Sequence, residues 1–307
     1  MNALDPILMM RFKHILVVGV GLIGGSFALA ARRANVAGRI TGWDYEANLE
    51  SALAGGVIDE AERSLISGGV IEADLVYLAA PVGAIIDFLR ARGESLKPGA
   101  IVTDAGSTKR EICRAARESL PRGVSFVGGH PMAGSQKTGV EFASARLFCG
   151  APYAIVNEGA DRPEALSRIV QLVEAIEARP VVLTAEQHDR AVARVSHAPQ
   201  LLATALAVAC GENGGEKAIA LAGSGFSDMT RLAESSWSVW EDICRTNSDE
   251  ITAALAEMAA LVGRMQEAIS GGDFASVREA FRAANDFMQQ LNVRTEGPFD
   301  SRQKQGI

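Results

Sequence analysis

The strongest constraint on the fold is the alternation of short apolar runs with helix-length segments in residues 1–184. The runs are rich in Val and Ile, and a strand that is apolar at every position must be buried on both faces. Such strands joined by helices predict a doubly wound α/β fold of the Rossmann type, with a parallel sheet covered by helices on both sides. The seven predicted strands are HILVVG (14–19), RITGWD (39–44), DLVYLAA (74–80), AIVTDAG (100–106), VSFVGG (124–129), YAIV (153–156) and PVVLT (180–184).

The second half of the chain has a different pattern. Strand signals stop after Thr184, and segments 251–269 and 274–291 carry apolar residues at helical spacing. The stretch LLATALAVA (201–209) is apolar on more than one face, so we expect it to pack between other helices and against a second subunit. The predicted parts are a Rossmann-type domain at 11–184, an all-α helical domain at 185–292 and a disordered tail at 293–307.

Composition excludes several classes of function. With 48% hydrophobic and 22% charged residues, the chain is typical of a globular protein. A formal charge of −7 provides no basic surface for nucleic acid or an anionic membrane. Its four cysteines lack the paired spacing of a zinc site or a disulfide framework, and no apolar run approaches the ~18 residues of a membrane span. We therefore expect a cytoplasmic protein with a small-molecule substrate and no bound metal.

A glycine-rich turn follows the first predicted strand. Gly19, Gly21 and Gly24 form the pattern G-V-G-L-I-G before an apolar helix, and Asp44 ends the second strand. The first glycine permits a tight turn, the second lets backbone N–H groups approach a pyrophosphate, and the third packs helix against strand. An acidic residue at the position of Asp44 can hold the ribose 2′-hydroxyl of a dinucleotide. The alternative is that the glycines are only turn residues and Asp44 is a solvated strand end.

The charge of Asp44 predicts which dinucleotide binds. A carboxylate repels the 2′-phosphate of NADP, so we expect NAD to be preferred, although Arg32, Arg33 and Arg39 lie nearby in the sequence. The predicted cofactor-binding residues also include Leu22 and Ile23 of the turn, and Ala80 and Pro81 at the end of the third strand.

Two further segments place polar side chains after predicted strands. DAGSTK (104–109) begins a helix, and Ser107 there is either a hydrogen-bond donor near the nicotinamide or the helix N-cap. GGHPMAGSQKTGV (128–140) places His130 just after the fifth strand, among glycines that fit a loop close to a ligand. An imidazole accepts a proton from an alcohol near neutral pH. We expect His130 to be this base rather than a structural histidine, because His14 and His188 have no comparable loop context.

Five motifs together resemble the prephenate/arogenate dehydrogenase family, from about residue 12 to 292. In that family's order they are GVGLIGGS (19–26), DAGSTK (104–109), GGHPMAGS (128–135), HDRAVARVSHAP (188–199) and GFSDMTRLAESS (225–236). The family joins a dinucleotide-binding domain to a helical domain through which two subunits pair. The resemblance therefore implies a homodimeric, NAD-dependent enzyme of tyrosine biosynthesis that oxidises and decarboxylates a cyclohexadienol, with substrate binding and dimerisation in the helical domain.

The resemblance also implies roles for single residues. His130 would hydrogen-bond the ring 4-hydroxyl and promote its oxidation, with Ser107 assisting that contact. His197 and Arg231 match positions that contact the substrate. A guanidinium such as that of Arg231 is suited to clamp a carboxylate, because it donates two parallel hydrogen bonds.

Three more substrate-binding residues are predicted with alternatives. Asp228 precedes Arg231 by three residues and either orients it or forms a surface pair. Trp240 either walls the pocket or belongs to the core. Gln136 lies where some family members carry an acid, and its neutral amide leaves both prephenate and arogenate open as substrates.

Two other functions fit parts of the pattern. β-Hydroxyacid and 6-phosphogluconate-type dehydrogenases have a similar architecture, but they rely on a lysine in the first interdomain helix, and segment 188–206 contains no lysine. A catalytically silent NAD-binding sensor would lack the catalytic histidine or the carboxylate clamp, whereas His130, His197 and Arg231 are all present.

Overall fold

The computed structural model describes residues 11–63, 69–134, 137–158 and 163–295. Gln136 and most of the predicted tail, residues 296–307, lie outside the described residues. Contacts divide the chain into two compact units, residues 1–251 and 252–307. The domain boundary predicted between residues 184 and 185 stays a prediction.

The described residues form a single eight-stranded sheet. Its strands are β1 (Phe12–Val18), β2 (Ala37–Trp43), β3 (Glu60–Ala61), β4 (Leu75–Leu78), β5 (Ile101–Asp104), β6 (Ser125–Pro131), β7 (Pro152–Val156) and β8 (Arg179–Leu183). The strand order is β3-β2-β1-β4-β5-β6-β7-β8, and neighbouring strands are parallel except for β6 and β7. The order reverses between β1 and β4, where ligands of doubly wound folds bind at the carboxyl ends of the strands.

Both faces of the sheet are buried, because alternate residues of a strand point to opposite sides. Ile15 and Val17 of β1 belong to one hydrophobic core, while Leu16 and Val18 belong to another. Each such apolar side chain contributes about 1.5–3 kcal/mol by leaving water. The helices over the sheet are α1 (Leu22–Arg33), α2 (Glu46–Ala54), α3 (Val82–Arg92), α4 (Arg110–Ser119) and α5 (Pro163–Ala175). The first core includes residues of α1, α2 and α5, and the second includes residues of α3 and α4, which confirms the doubly wound class.

Two features of the sheet differ from the prediction. The two-residue strand β3 pairs with β2 at the edge, and it is too short to leave an apolar run in the sequence. Strand β7 runs antiparallel to β6. Parallel neighbours need a crossover, usually a helix, whereas the described residues between β6 and β7 contain no α-helix and only one short helical element, the 3-10 turn Val140–Phe142.

Helices follow β8 to the end of the described chain. They are α6 (Ala185–Val192), a π-helical turn (Ala193–His197), α7 (Ala198–Asn213), α8 (Gly215–Ala220), α9 (Ser224–Thr230), a 3-10 turn (Arg231–Glu234), α10 (Trp237–Thr246), α11 (Ser248–Ser270) and α12 (Phe274–Thr295). The break between α11 and α12 contains Gly272, whose φ of 71° favours glycine. None of the described helices is long and apolar enough to cross a membrane.

Candidate active site

His130 lies inside β6, near the carboxyl end of the strand, and not in a loop after it as predicted. The two glycines before it serve packing rather than a ligand. A Cβ at Gly129 would lie 2.4 Å from the backbone oxygen of Asp104, so only glycine lets β6 pack this closely on β5. His130 is 9% exposed and therefore sits at the rim of the buried sheet.

His130 is hydrogen-bonded to a second histidine that the sequence reasoning set aside. Nδ1 of His130 lies 2.9 Å from Nε2 of His188, and Nδ1 of His188 lies 2.8 Å from a carboxylate oxygen of Asp189. His188 and Asp189 are almost completely buried. The three side chains thus form a continuous hydrogen-bonded chain that joins β6 to α6.

The start of α6 explains the position of His188 and Asp189. Thr184 caps the helix, and its hydroxyl accepts a hydrogen bond of 3.2 Å from the backbone N–H of Gln187. The Gln187 side chain in turn accepts a hydrogen bond from the backbone N–H of Thr184 at 3.0 Å. This capping box fixes the first turn of α6. His188 and Asp189 follow directly, before a π-helical turn of the kind often found at functional sites.

Asp189 caps the neighbouring helix α4. Its carboxylate accepts hydrogen bonds from the backbone N–H groups of Lys109, at 2.7 Å, and Arg110, at 3.0 Å. The guanidinium of Arg110 also pairs with it. Anions are stabilised at a helix N-terminus by these unpaired N–H groups. Ser107 is therefore not the N-cap of α4: its side chain is half-buried and makes no hydrogen bond with the described residues, which leaves the hydroxyl available to a ligand.

A second branch leads from Asp189 to His197. The side-chain amide of Asn247 donates to the backbone oxygen of Asp189 at 2.9 Å and lies 3.3 Å from Nδ1 of His197. The ring of His197 meets Trp240 edge to face, with ring centroids 5.9 Å apart. Nε2 of His197 is buried without a partner among the described residues. A buried polar atom left unpaired is costly, so this nitrogen is available to bind a substrate.

A buried ion pair supports the same end of the sheet. Lys109 and Asp104 are both fully buried, and the ammonium of Lys109 donates to the carboxylate. Asp104 also accepts hydrogen bonds from the backbone N–H groups of Gly129, at 3.0 Å, and Gly106, at 2.8 Å. Removing one partner of such a pair costs about 3–5 kcal/mol. The pair therefore holds β5, β6 and the DAGSTK segment in place around His130.

Burial keeps the site histidines uncharged. The pKa of His130 lies well below its ordinary value of 6.5, because burial and then the nearby His188 and Lys109 disfavour the charged ring. Burial lowers the pKa of His197 to about 4, against the opposing attraction of Asp189. For Asp189, burial alone would raise the pKa, but hydrogen bonds from His188 and the start of α4 lower it. The result is two neutral rings beside an ionised carboxylate.

The other predicted substrate residues lie on neighbouring helices. Arg231 opens the 3-10 turn after α9 and is exposed, and this turn is tied to α7 because the Gln200 side chain donates to the oxygen of Leu232 at 2.6 Å. Asp228 is exposed and forms neither a hydrogen bond nor an ion pair with a described side chain, so it does not orient Arg231 here. The ring of Trp240 contacts that of His197, and its role as a wall of the pocket stays a prediction.

The glycine-rich turn has the geometry that a pyrophosphate requires. Gly19 has φ of 88°, and a Cβ there would lie 2.5 Å from the backbone oxygen of Ala79. A Cβ at Gly24 would lie 1.9 Å from the oxygen of Gly19, so helix and turn are in close contact. A Cβ at Gly21 would meet nothing within 4 Å. Only Gly21 faces open space, where a ligand can reach the backbone.

The nucleotide side of the site also includes Asp44 and Ala80. The carboxylate of Asp44 accepts a hydrogen bond of 2.6 Å from the backbone N–H of Val20, which aims it at the glycine-rich turn. Ala80 lies beside Gly19 and precedes Pro81, the N-cap of α3. Leu22 and Ile23 begin α1 and are half-buried. The predicted nucleotide residues therefore meet at the carboxyl edge of β1, β2 and β4.

Comparison with known protein families gives two matches, one after the other along the chain. Residues 27–183 match the family described as prephenate dehydrogenase, nucleotide-binding domain, and residues 184–283 match prephenate dehydrogenase, dimerization domain. The chain belongs to the prephenate dehydrogenase family. Prephenate dehydrogenase of Bacillus subtilis is 34% identical over 287 residues, which cover 92% of this chain and 77% of that protein.

Two solved structures of this family share the fold over nearly the whole chain. Prephenate dehydrogenase of Aquifex aeolicus, in complex with hydroxyphenyl propionate and NAD+, has a TM-score of 0.79 and 28% identity, covering 95% of this chain and 98% of that chain. Arogenate dehydrogenase of Synechocystis has a TM-score of 0.77 and 29% identity, covering 91% and 99%. The family and its oxidoreductase chemistry thus rest on both sequence and structure.

Sequence reasoning missed four residues of the site: His188, Asp189, Lys109 and Asn247. Three of them stood inside motifs that had been singled out, since HDRAVARVSHAP begins with His188 and Asp189 and DAGSTK ends with Lys109. The signal in the sequence was that polar residues stood inside these motifs, which pointed to a buried role for them. Asn247 lies outside the five motifs, and only the fold brings it to His197.

Proposed function

We propose that the protein catalyses NAD-dependent oxidative decarboxylation of prephenate, arogenate or both, in tyrosine biosynthesis. The observation that carries the proposal is His130, a buried and neutral imidazole at the same edge of the sheet as the glycine-rich turn. A neutral ring can accept a proton, whereas a charged one cannot.

The reaction follows from this arrangement. Bound NAD would lie on the turn at Gly21 and accept a hydride from the ring carbon that bears the hydroxyl. His130 accepts the hydroxyl proton, and Ser107 can donate a hydrogen bond to the same oxygen. The oxidised ring then releases its carboxylate as CO2, because the electrons left behind complete an aromatic ring. His197 and Arg231 position the substrate, Arg231 through its carboxylate.

The structure also supports NAD over NADP. The three arginines that are close to the turn in sequence lie away from it in the fold: Arg32 and Arg33 end α1, and Arg39 is near the start of β2. Each pairs with an acid, Arg32 with Asp59, Arg33 with Glu177 and Arg39 with Glu60. Asp44 places a negative charge where the ribose hydroxyls of NAD would bind. None of the three therefore lies beside Asp44, where a 2′-phosphate would bind.

The helical part supports pairing with a second copy of the chain. Helices α7 and α8 and the residues after them expose apolar side chains, including Val208, Ile219 and Leu221, which is 86% exposed. The match of residues 184–283 to a dimerization domain points to the same region. Light scattering at micromolar concentration should give a homodimer, and Leu221→Asp should shift it towards monomer. Val70→Asp, at an exposed apolar position before residue 184, is the matched control and should remain dimeric.

A cytoplasmic location completes the proposal. All four cysteines are free, and Cys113 is buried with a pKa raised by that burial to about 12. Free thiols persist where the compartment is reducing.

One experiment tests the proposed activity. NADH formation is measured with purified prephenate and with arogenate, each with NAD and with NADP. We expect turnover with at least one substrate and higher efficiency with NAD. If the protein binds NAD but oxidises neither substrate, the activity is wrong and the silent NAD-binding protein is supported instead.

A further inference from the structure

The contact between His130 and His188 sets the positions of the protons in both rings. The carboxylate of Asp189 already accepts from the backbone N–H groups of Lys109 and Arg110 and from the Arg110 guanidinium. An ionised carboxylate only accepts, so the proton between Asp189 and His188 must be on Nδ1 of His188.

The same argument about donors and acceptors applies to His130. Burial lowers the pKa of His188, against the opposing hydrogen bond with Asp189, so its ring is neutral. A neutral His188 that carries its proton on Nδ1 offers only a lone pair at Nε2. The 2.9 Å contact to that atom therefore requires His130 to donate from its own Nδ1. A neutral His130 with a proton on Nδ1 has its lone pair on Nε2. The chain of hydrogen bonds thus leaves Nε2 as the acceptor nitrogen of His130.

We propose that His188 and Asp189 are positioning residues that hold His130 in the tautomer whose Nε2 accepts the substrate proton. This inference rests on the proposed function. In the reaction the substrate O–H bond breaks and a bond from hydrogen to Nε2 forms, while the hydride electrons leave with NAD. The positive charge gained by His130 is stabilised through His188 by the carboxylate of Asp189, which itself stays unprotonated. A triad carboxylate orients its histidine in the same way.

The surroundings of the rings are consistent with this role. Lys109, a fully buried cation, is already paired with Asp104. His197, in the π-helical turn, is linked through Asn247 to the backbone oxygen of Asp189. Asp189 is held by Arg110, which also pairs with Asp249, so its carboxylate is fixed from two elements. His130, His188 and Asp189 therefore each have a single arrangement of hydrogen-bond donors and acceptors.

Nitrogen NMR of histidine tests the tautomer without any substrate. The chain contains only four histidines, so 15N-labelled histidine gives four ring systems, which single substitutions assign. At neutral pH we expect His130 and His188 each to carry one proton, on Nδ1. A proton on Nε2 of His130, or a doubly protonated ring, would overturn the proposal. Because NAD and substrate are absent, this result stands even if neither cyclohexadienol proves to be a substrate.

Kinetics of His188 variants test the consequence for catalysis. His188→Ala should lower kcat by about 10²- to 10³-fold, with KM for both substrates changed by less than about threefold, since orientation and not binding is lost. His188→Gln keeps an amide oxygen that can accept from Nδ1 of His130 and should recover at least about tenfold of that loss. His14→Gln is the matched control, since His14 lies at the amino end of β1 and bonds Thr41.

The outcomes separate positioning from a purely structural role. A structural role alone predicts that His188→Ala and His188→Gln lower the melting temperature while kcat per folded protein stays within about twofold of the parent. That result would refute the proposal. If His188→Ala fails to fold, the tautomer of His130 in the unsubstituted protein decides the matter.

Discussion

The glycine-rich turn offers a matched pair of substitutions whose effects should separate cleanly. Gly21 and Gly24 belong to one motif, but a Cβ at Gly21 meets nothing within 4 Å, whereas a Cβ at Gly24 lies 1.9 Å from the oxygen of Gly19 and 2.9 Å from Val17. Ordinary contacts between non-bonded heavy atoms are about 3.5–4.0 Å. Gly24→Ala therefore requires the turn itself to move, whereas Gly21→Ala does not.

The magnitudes follow from these contacts. Overpacking at Gly24 costs about 1–3 kcal/mol. The clash with backbone places it near the upper end, and the gain of about 1 kcal/mol from alanine in a helix offsets only part of this. A net loss of about 2 kcal/mol should lower the melting temperature by roughly 4–8 °C. Gly21 has φ of −85°, which alanine adopts without strain, so Gly21→Ala should change the melting temperature by less than about 2 °C.

Gly21→Ala should weaken NAD binding, although it leaves the melting temperature almost unchanged. A methyl group there occupies the space that the pyrophosphate needs, and the loss of a charge-assisted hydrogen bond worth about 1.5–3 kcal/mol corresponds to roughly 10- to 150-fold in Kd. Calorimetric titration with NAD and thermal unfolding without it measure the two quantities separately. Normal NAD affinity in Gly21→Ala, or a normal melting temperature in Gly24→Ala, would refute the assignment of these two glycines.

Four further predictions concern single side chains. His130→Asn should lower kcat by about 10²–10⁴ with little change in KM, because a positioned base is lost; steady-state kinetics with unchanged turnover would contradict its role. Arg231→Ala should chiefly raise KM, by roughly 10- to 150-fold, as the substrate carboxylate loses its partner; an unchanged KM would remove it from the site. Asp44→Ala should narrow the preference for NAD over NADP in kcat/KM, since repulsion of the 2′-phosphate is relieved, and an unchanged ratio would argue against that repulsion. The free energy of unfolding should fall as the pH falls from about 6.5 to about 4, because burial lowers the pKa of His197 to about 4 in the folded state, while the unfolded ring binds a proton at its ordinary pKa of 6.5. Chemical denaturation at several pH values measures this dependence. His197→Gln should make the free energy of unfolding depend less steeply on pH over this range.

Local patterns in the sequence predicted most of the fold. The strands are visible because both of their faces are buried, which makes them continuous apolar runs, and the glycine-rich turn is visible because each glycine answers a steric need within a few residues. The edge strand β3 left no such trace, since two residues cannot form a pattern. No local period in the sequence records that β7 runs antiparallel to β6.

The site was harder to predict because its partners are far apart in the sequence. His130 and His188 are separated by 58 residues and meet only when β6 and α6 pack together. Ser107 is a residue type typical of an N-cap, yet the carboxylate of Asp189 in α6 accepts the hydrogen bonds from the backbone N–H groups at the start of α4. Gly128 and Gly129 looked like ligand-facing residues, but the space a Cβ would need is taken by β5 and its neighbours. In each case a tertiary contact, and not the local sequence, determined the role of the residue.

The hydrogen bond from His130 to His188 limits how such an enzyme can be recombined. His130 comes from the nucleotide-binding half of the chain, while His188 and Asp189 come from the segment that follows it. A chimera that joins residues 1–184 to an unrelated helical domain would keep the glycine-rich turn but would leave Nδ1 of His130 without its acceptor. Exchange of the second half, by evolution or in the laboratory, must therefore bring its own partner for this imidazole, or the hybrid will bind nucleotide without a correctly prepared base.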